Sequence, residues 1–353
     1  MATISLDKLG FRFPGADTDT LSNLNLEVAD GEAHALLGAS GAGKTTLLNI
    51  LSGLLVPTSG ALRFNGEDVS RLPGRVRNVA QVFQFPVLYE SLSVAENLVF
   101  PLRTHNASPA LIKERREHIV SELELQNVLE LKPRSLSLFQ KQLVAVGKAL
   151  IRPDVSMVLL DEPLTAVEPK IKWQLRQTLR RVQADLKVTM IYVTHDQTEA
   201  LTFAEKVSVL AGGTLLQTGT PEQVYAEPDH EFVGHFVGSP GMNFLPAASL
   251  GIADAERVGF RPEWVRVMSS PAPADPVQQS PGSLRGQLRR LRVEGTQNGK
   301  PIGLVTIGTP DGEIALRGTL PEETVATGDT LLVQVDRCIA YEQQRRVRSI
   351  ELV

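Results

Sequence analysis

Residues 38 to 46 read GASGAGKTT, and the apolar run 33 to 37 leads straight into them. This match to G-x-x-x-x-G-K-[ST] constrains the fold more than any other stretch, because such a loop works only between a buried strand and a helix starting at its lysine. Glycines let successive backbone N–H groups turn inward around phosphate oxygens, where side chains would block the approach. Gly38, Ala39, Ser40, Gly41, Ala42, Gly43, Lys44, Thr45 and Thr46 are therefore the expected phosphate-cradling residues. In that reading Lys44 reaches the β- and γ-phosphates and the Thr45 hydroxyl meets Mg²⁺. The helix that follows turns its positive N-terminal end toward the anion. A flexible turn that matches by chance is the plain alternative, and a strand before with a helix after argues against it.

At 353 residues the chain has room for about two domains. Its formal net charge of -4 gives no overall basic field that would draw it to nucleic acid or anionic lipid. Cys338 is the only cysteine, so an internal disulfide is excluded, and a lone thiol without a role is its simplest reading. The opening residues alternate like a strand and lack the apolar core of a secretion signal. No uninterrupted apolar run approaches the ~20 residues needed to span a bilayer. Work at a membrane would thus need a separate partner.

Along the chain, residues 3 to 31 read as short strands and turns, and Phe13 on pattern alone reads as core. ALRF and RNVAQVFQ are β-rich, the second ending in Gln84. From 94 to 130 the pattern is helical with a break near 105 to 109, and SLSLFQKQLVAVGKALI continues as an apolar helix after a serine-rich cap. VSMVLLDEP and VTMIYVTHD are buried strands ending in Asp161, Glu162 and His195, and an amphipathic helix at 170 to 186 lies between them. Strands alternating with helices, with polar residues at strand C-termini, predict a parallel α/β sheet with its site along that edge. From about 245 onward, short β-like runs separated by turns predict a small all-β region, with a Pro/Ser/Ala-rich insertion at about 269 to 283.

GASGAGKTT, VFQ at 82 to 84, LSLFQKQ at 136 to 142, VLLDEP at 158 to 163 and YVTHDQTEAL at 192 to 201 resemble, in order and spacing, the ATP-binding subunit of ABC transporters. The C-terminal region resembles the regulatory extension of the maltose/sugar-importer ATPases. Stretches such as QVFQFPVLYESLSVAENLVFPLR, DEPLTAVEPKIKW and FVGHFVGSPGMNFLP look most like one of the two ATPase chains of bacterial glycerol importers. The resemblance implies a P-loop NTPase of ABC type, with a RecA-like core over 1 to 235 and a helical subdomain at about 88 to 150. A small OB-like (TOBE-like) regulatory domain would occupy 236 to 353. It also implies ATP and Mg²⁺ as cofactors. Glu162 resembles the base that orients the attacking water, His195 the switch histidine on the γ-phosphate, and Gln84 the glutamine that senses Mg²⁺ and that water. Asp161, Thr45 and Gln84 would serve the metal. Phe13 stands where the family stacks a tyrosine on adenine, and either ring offers a π-face.

Two positions depart from the family. The signature LSGGQ is here LSLFQ, so Ser137 and Gln140 remain while Leu138 and Phe139 replace glycines. In family dimers this signature closes over the nucleotide of the opposite subunit. Bulky residues there are expected to hinder the backbone approach. Glu168 stands where the family usually has a shorter aspartate.

With the chain's own hydrolytic set complete and its signature altered, the resemblance favours pairing with a second ATPase chain over self-pairing. Two transmembrane permease subunits and, indirectly, a periplasmic binding protein complete the implied assembly on the cytoplasmic face of the bacterial inner membrane. The resemblance implies glycerol as the carried molecule, with sugars or sn-glycerol 3-phosphate as nearest alternatives. A DNA-associated ABC ATPase would usually need a long coiled-coil insertion, for which 84 to 136 leaves no room. A low-turnover nucleotide sensor would have no need of Glu162 and His195.

Overall fold

The computed structural model describes residues 2–165, 167–269, 281–297, 300–319 and 326–352. They form two compact units, Met1–Pro221 and Glu222–Val353. In the first unit the strands Ala33–Leu37, Met190–Thr194, Met157–Asp161 and Val79–Val82 lie side by side and parallel, and Lys206–Ala211 runs parallel on the other flank of Ala33–Leu37. Antiparallel Thr214–Gly219 closes that edge. Every residue of Ala33–Leu37 and Met190–Thr194 is buried, as expected for strands covered on both faces.

A second, antiparallel sheet of Leu21–Val28, Ile4–Phe11, Ser59–Phe64 and Glu67–Asp68 belongs to the same unit. Its inward residues, among them Leu6, Leu9, Leu24 and Leu62, share one core with Leu47, Leu48 and Leu51 of the helix Lys44–Ser52 and with Leu36, Leu159 and Ile191 of the parallel sheet. The helix that follows the glycine-rich loop is therefore anchored by apolar contacts along its length. Three further helices, Val94–Thr104, Pro109–Glu122 and Leu138–Leu150, pack on one another around Gly147. A Cβ at Gly147 would lie 2.7 Å from Leu98 Cδ2 and 2.9 Å from Leu123 Cδ1, so a larger residue there would force these side chains to shift.

The second unit is all-β apart from short helical turns, as the sequence texture predicts. Its strands form two antiparallel sheets over one core that includes Leu245, Phe260, Leu288, Ile307, Leu316 and Val333. The division falls before residue 235 because the buried Arg261 gathers the segment ahead of it. Its guanidinium donates to Tyr225 O at 2.9 and 2.5 Å, to Gly234 O at 2.9 Å and to Val237 O, and it stacks on the Tyr225 ring. The helix Glu231–Phe236 thus stays with the β region, a tie made through backbone carbonyls that sequence texture cannot register. Most of the predicted insertion, residues 270–280, lies outside the described residues.

Candidate functional site

Four adjacent parallel strands end at one edge and deliver, in spatial order, the loop 38 to 43, His195, Asp161 with Glu162, and the segment starting at Phe83. The loop is built by its glycines. A Cβ at Gly38 would meet Leu210 O at 2.4 Å, and Gly41 and Gly43 have φ of 80 and 104, where other residues are strained. Gly43 is doubly required, since a Cβ there would also lie 2.6 Å from Leu21 Cδ2. The helix Lys44–Ser52 has no side-chain cap and no acidic residue in its first turn. Its N-terminal N–H groups are thus left for an anion.

Lys44 is buried and folds back over the loop, with Nζ donating to Gly38 O at 2.8 Å and Ala39 O at 3.0 Å. Burial lowers its pKa, opposed by the charges of Glu162 and Asp161. Asp161 is affected in the opposite sense: burial and then the neighbouring Glu162 raise its carboxyl above the usual range, with Lys44 pulling the other way. The Glu162 carboxylate accepts from the Thr165 hydroxyl at 3.1 Å, and its Oε2 lies 3.1 Å from His195 Nδ1. Glu162 also has a left-handed φ of 45, held by its N–H on Val193 O at 2.9 Å. This sparsely populated conformation sits in the middle of the cluster.

Thr45 is exposed and Thr46 half-buried at the first turn of the loop helix. Gln84 is half-buried beyond Val79–Val82, between the exposed rings of Phe83 and Phe85. Phe13 is 45% exposed and meets Phe11 edge-on at 4.8 Å, so the pattern-based placement in the core is corrected. It projects from the turn 12 to 20, which is closed by Thr20 N–H on Phe11 O, and Thr20 O borders Gly43. Phe13 thereby offers an exposed ring on the turn whose far end, at Thr20, borders the loop.

Ser137 caps the helix Leu138–Leu150 in a reciprocal box: its hydroxyl accepts from Gln140 N–H at 3.2 Å, and Gln140 Oε1 accepts from Ser137 N–H at 2.9 Å. Leu138 and Phe139 are half-buried. Phe139 lines a groove of about 210 Å³ with Leu125, Val128, Leu143, Gln174 and Thr178.

One member of the neighbourhood escapes motif reading. Glu199 is buried and accepts from Thr194 Oγ1 at 2.9 Å, Tyr192 Oη at 3.1 Å and Lys172 Nζ at 3.1 Å. Asp196 caps the helix Gln197–Phe203 by accepting from Thr198 N–H at 2.8 Å. His195 is fixed between these two anchors. Asp196 before the helix is a cap signal that the sequence does carry, whereas the partners of Glu199 are brought together only by the fold.

A phosphate-cradling loop with its lysine folded over it, and acids and a histidine at neighbouring strand ends, define a P-loop nucleoside triphosphatase. A family model described as ABC transporter matches residues 21–165. The sn-glycerol-3-phosphate import ATP-binding protein UgpC of Chromohalobacter salexigens is 41% identical over 281 residues, covering 74% of this chain and 75% of that protein. The trehalose import ATP-binding protein SugC of Mycobacterium tuberculosis is 42% identical over 247 residues, 70% of this chain and 62% of that one. An ATP-binding cassette solved as a dimer in a post-hydrolysis state with ADP and Pi is similar with a TM-score of 0.54 at 27% identity, over 62% of this chain and 98% of that one. The chain belongs to the ABC transporter ATP-binding proteins and is an ATPase of the sugar-importer type.

Proposed function

We propose that this chain powers import of a small polyol, glycerol, through separately encoded permease subunits at the cytoplasmic face of the inner membrane, and that it works beside a second ATPase chain. The observation that carries the ATP-driven step is the convergence of Lys44, Asp161, Glu162 and His195 on one sheet edge, with Glu162 and His195 3.1 Å apart. Import is supported by the relatives whose names specify import of sn-glycerol 3-phosphate and of trehalose. Among the described residues no helix is long and apolar enough to cross a membrane. The translocation path is assigned to other chains on the strength of that kinship.

The donor set fits MgATP. The glycine cradle and uncapped helix suit phosphate oxygens, and Thr45, Asp161 and Gln84 offer the hard oxygens that Mg²⁺ prefers. Bound Mg²⁺ supplies charge neutralisation on the transferring phosphoryl group. Lys44 exchanges its loop carbonyls for phosphate, and Phe13 stacks on the base. Glu162, positioned by Thr165 and His195, orients water and takes its proton. His195 is then free to donate toward the γ-phosphate.

Beside the groove of about 220 Å³ lined by Val82, Phe83, Val87, Pro101, Ala145 and Lys148, the residues Phe83, Phe85, Val87 and Tyr89 expose apolar surface. A cluster of this kind marks a partner surface, which we assign to a permease. Hydrolysis by the purified chain alone and mixed with the second ATPase chain tests the pairing. We expect weak turnover alone and strong turnover in the mixture, and robust activity of the self-paired chain would overturn it. Uptake of labelled glycerol against sn-glycerol 3-phosphate and trehalose, with the permeases present, tests the cargo.

A further inference from the structure

The loop that carries Gln84 is fastened at both ends and free in the middle. On one side Gln142 Nε2 donates to Phe83 O at 3.3 Å, and Lys148 Nζ donates to Val87 O at 3.3 Å while lying 4.3 Å from the centroid of the Tyr89 ring. Both side chains come from the helix Leu138–Leu150, which begins at Ser137 and the altered signature. On the other side Asn97, fully buried, donates to the carbonyls of Tyr89, Leu92 and Ser93 at 3.0, 3.2 and 3.0 Å and accepts from Tyr89 N–H at 2.8 Å. Between these anchors Phe85 is 66% exposed.

Gln142 is the more telling of the two helix residues. Only 1% of it is exposed, and its Oε1 has no hydrogen-bond partner. A buried amide oxygen without a donor is unfavourable and calls for an explanation. The Phe83 carbonyl fixes the amide orientation, so the bare oxygen is not an inverted nitrogen. The loop held by the same amide is adjacent to it and carries backbone N–H groups.

We infer that Gln142 and Lys148 are positioning residues that fasten the Gln84 loop to the signature helix, and that the open acceptor of Gln142 receives a loop N–H in the nucleotide-bound state. The inference rests on the ATPase-subunit reading above and names the side chains through which Gln84 and the signature move as one. Neither residue touches the reacting atoms.

The test uses the full chain and the variants Gln142→Met, Lys148→Met and Lys148→Arg. Hydrogen exchange of the amides at 83 to 89 is followed with and without MgATP, alongside nucleotide affinity, Tm and ATP turnover. Met at 142 has similar length and removes both the donor and the stranded acceptor. We expect Gln142→Met to leave Tm unchanged or raised, while turnover falls about tenfold and the protection that MgATP gives to 83 to 89 is lost. Lys148→Met speeds exchange of the loop even without nucleotide, Lys148→Arg restores it, and nucleotide affinity stays within about twofold throughout. Unchanged loop exchange in both Met variants overturns the inference, as does a loss of turnover matched by loss of affinity or of Tm. Loop exchange is read on this chain alone. A wild-type chain that gains nothing from permeases would therefore count against the transport reading and leave the exchange result standing.

Discussion

Asp161 and Glu162 place two carboxylates side by side at a strand end, and burial first, then the neighbouring Glu162 charge, raises the Asp161 pKa. Its carboxyl binds a proton more readily folded than unfolded. The cost of keeping it ionised is thus complete above the folded value and vanishes below the unfolded value of 3.8. Asp161→Asn is predicted to stabilise the nucleotide-free chain at neutral pH by about 1 kcal/mol, or ~2–4 °C in Tm, while weakening Mg²⁺-dependent nucleotide binding. The stabilisation should shrink as pH is lowered through the carboxylate range, which thermal melts at several pH values will show. A pH-independent gain would mean that packing rather than charge sets it. Glu162→Gln asks a different question. The left-handed φ of 45 burdens Gln and Glu alike, so the substitution isolates chemistry from backbone strain. Turnover should fall by ~10²–10⁴ with ATP still bound, measured as single-turnover hydrolysis beside nucleotide retention. Equal turnover would remove Glu162 from the role of base.

At the scale of elements, the loop helix Lys44–Ser52 is short, uncapped at its N-terminus and free of basic residues in its last turn. Its C-terminal end is held from outside by Arg77, which is 2% exposed. That guanidinium donates to Ile50 O and to Leu51 O at 3.3 Å, and also to Ser70 O and Leu72 O at 2.9 and 2.8 Å. A cation on these carbonyls favours the helix dipole and satisfies groups that would otherwise be buried bare. Arg77→Met should cost about 2–4 kcal/mol and weaken nucleotide binding together with Tm, whereas Arg77→Lys recovers only part, because one ammonium cannot span two segments. Chemical denaturation with a nucleotide titration checks both. The sequence carries no sign of this role, since the partners are backbone carbonyls brought together only by the fold. The same holds for Arg261 and Gln142. By contrast, the parallel sheet and the order of its strand ends were legible, because Ala33–Leu37, Met157–Asp161 and Met190–Thr194 are short apolar runs that end at the glycine-rich loop, at Asp161 and at His195. Phe13 shows the limit of pattern: alternation places a ring on a face but cannot tell whether another layer covers it.

For the molecule as a working unit, the first turn of Leu138–Leu150 decides how the proposed dimer closes. Ser137 and Gln140 keep their reciprocal cap, so the helix start itself is well formed despite the lost glycines. What has changed is the steric cover over it, since Leu138 and Phe139 bring two large side chains to a place where the proposed dimer needs bare backbone. Phe139 packs along the wall of the groove beside Leu125 and Leu143, a wall to which Leu138 does not contribute, and this leaves Leu138 the less restrained obstruction. Restoring glycine at 138 should therefore raise turnover of the self-paired chain more than restoring it at 139. The double change should raise it most, toward the ~10²–10³ that one preorganised donor contributes to a transition state. Glycine at these first-turn positions destabilises the helix by up to about 1 kcal/mol each, and Phe139→Gly also strips a half-buried ring from the groove wall, so Tm is predicted to fall as activity rises. In the mixture with the second ATPase chain, the same variants should raise hydrolysis only at the nucleotide bound by that partner, and only its share of total turnover should grow. Steady-state ATPase assays of the self-paired and mixed forms, with the partner's own catalytic glutamate replaced in a parallel arm, separate the two sites. If the glycine variants leave the self-paired rate unchanged, steric cover at the signature is not what limits this chain, and the case for an asymmetric pair loses its physical basis.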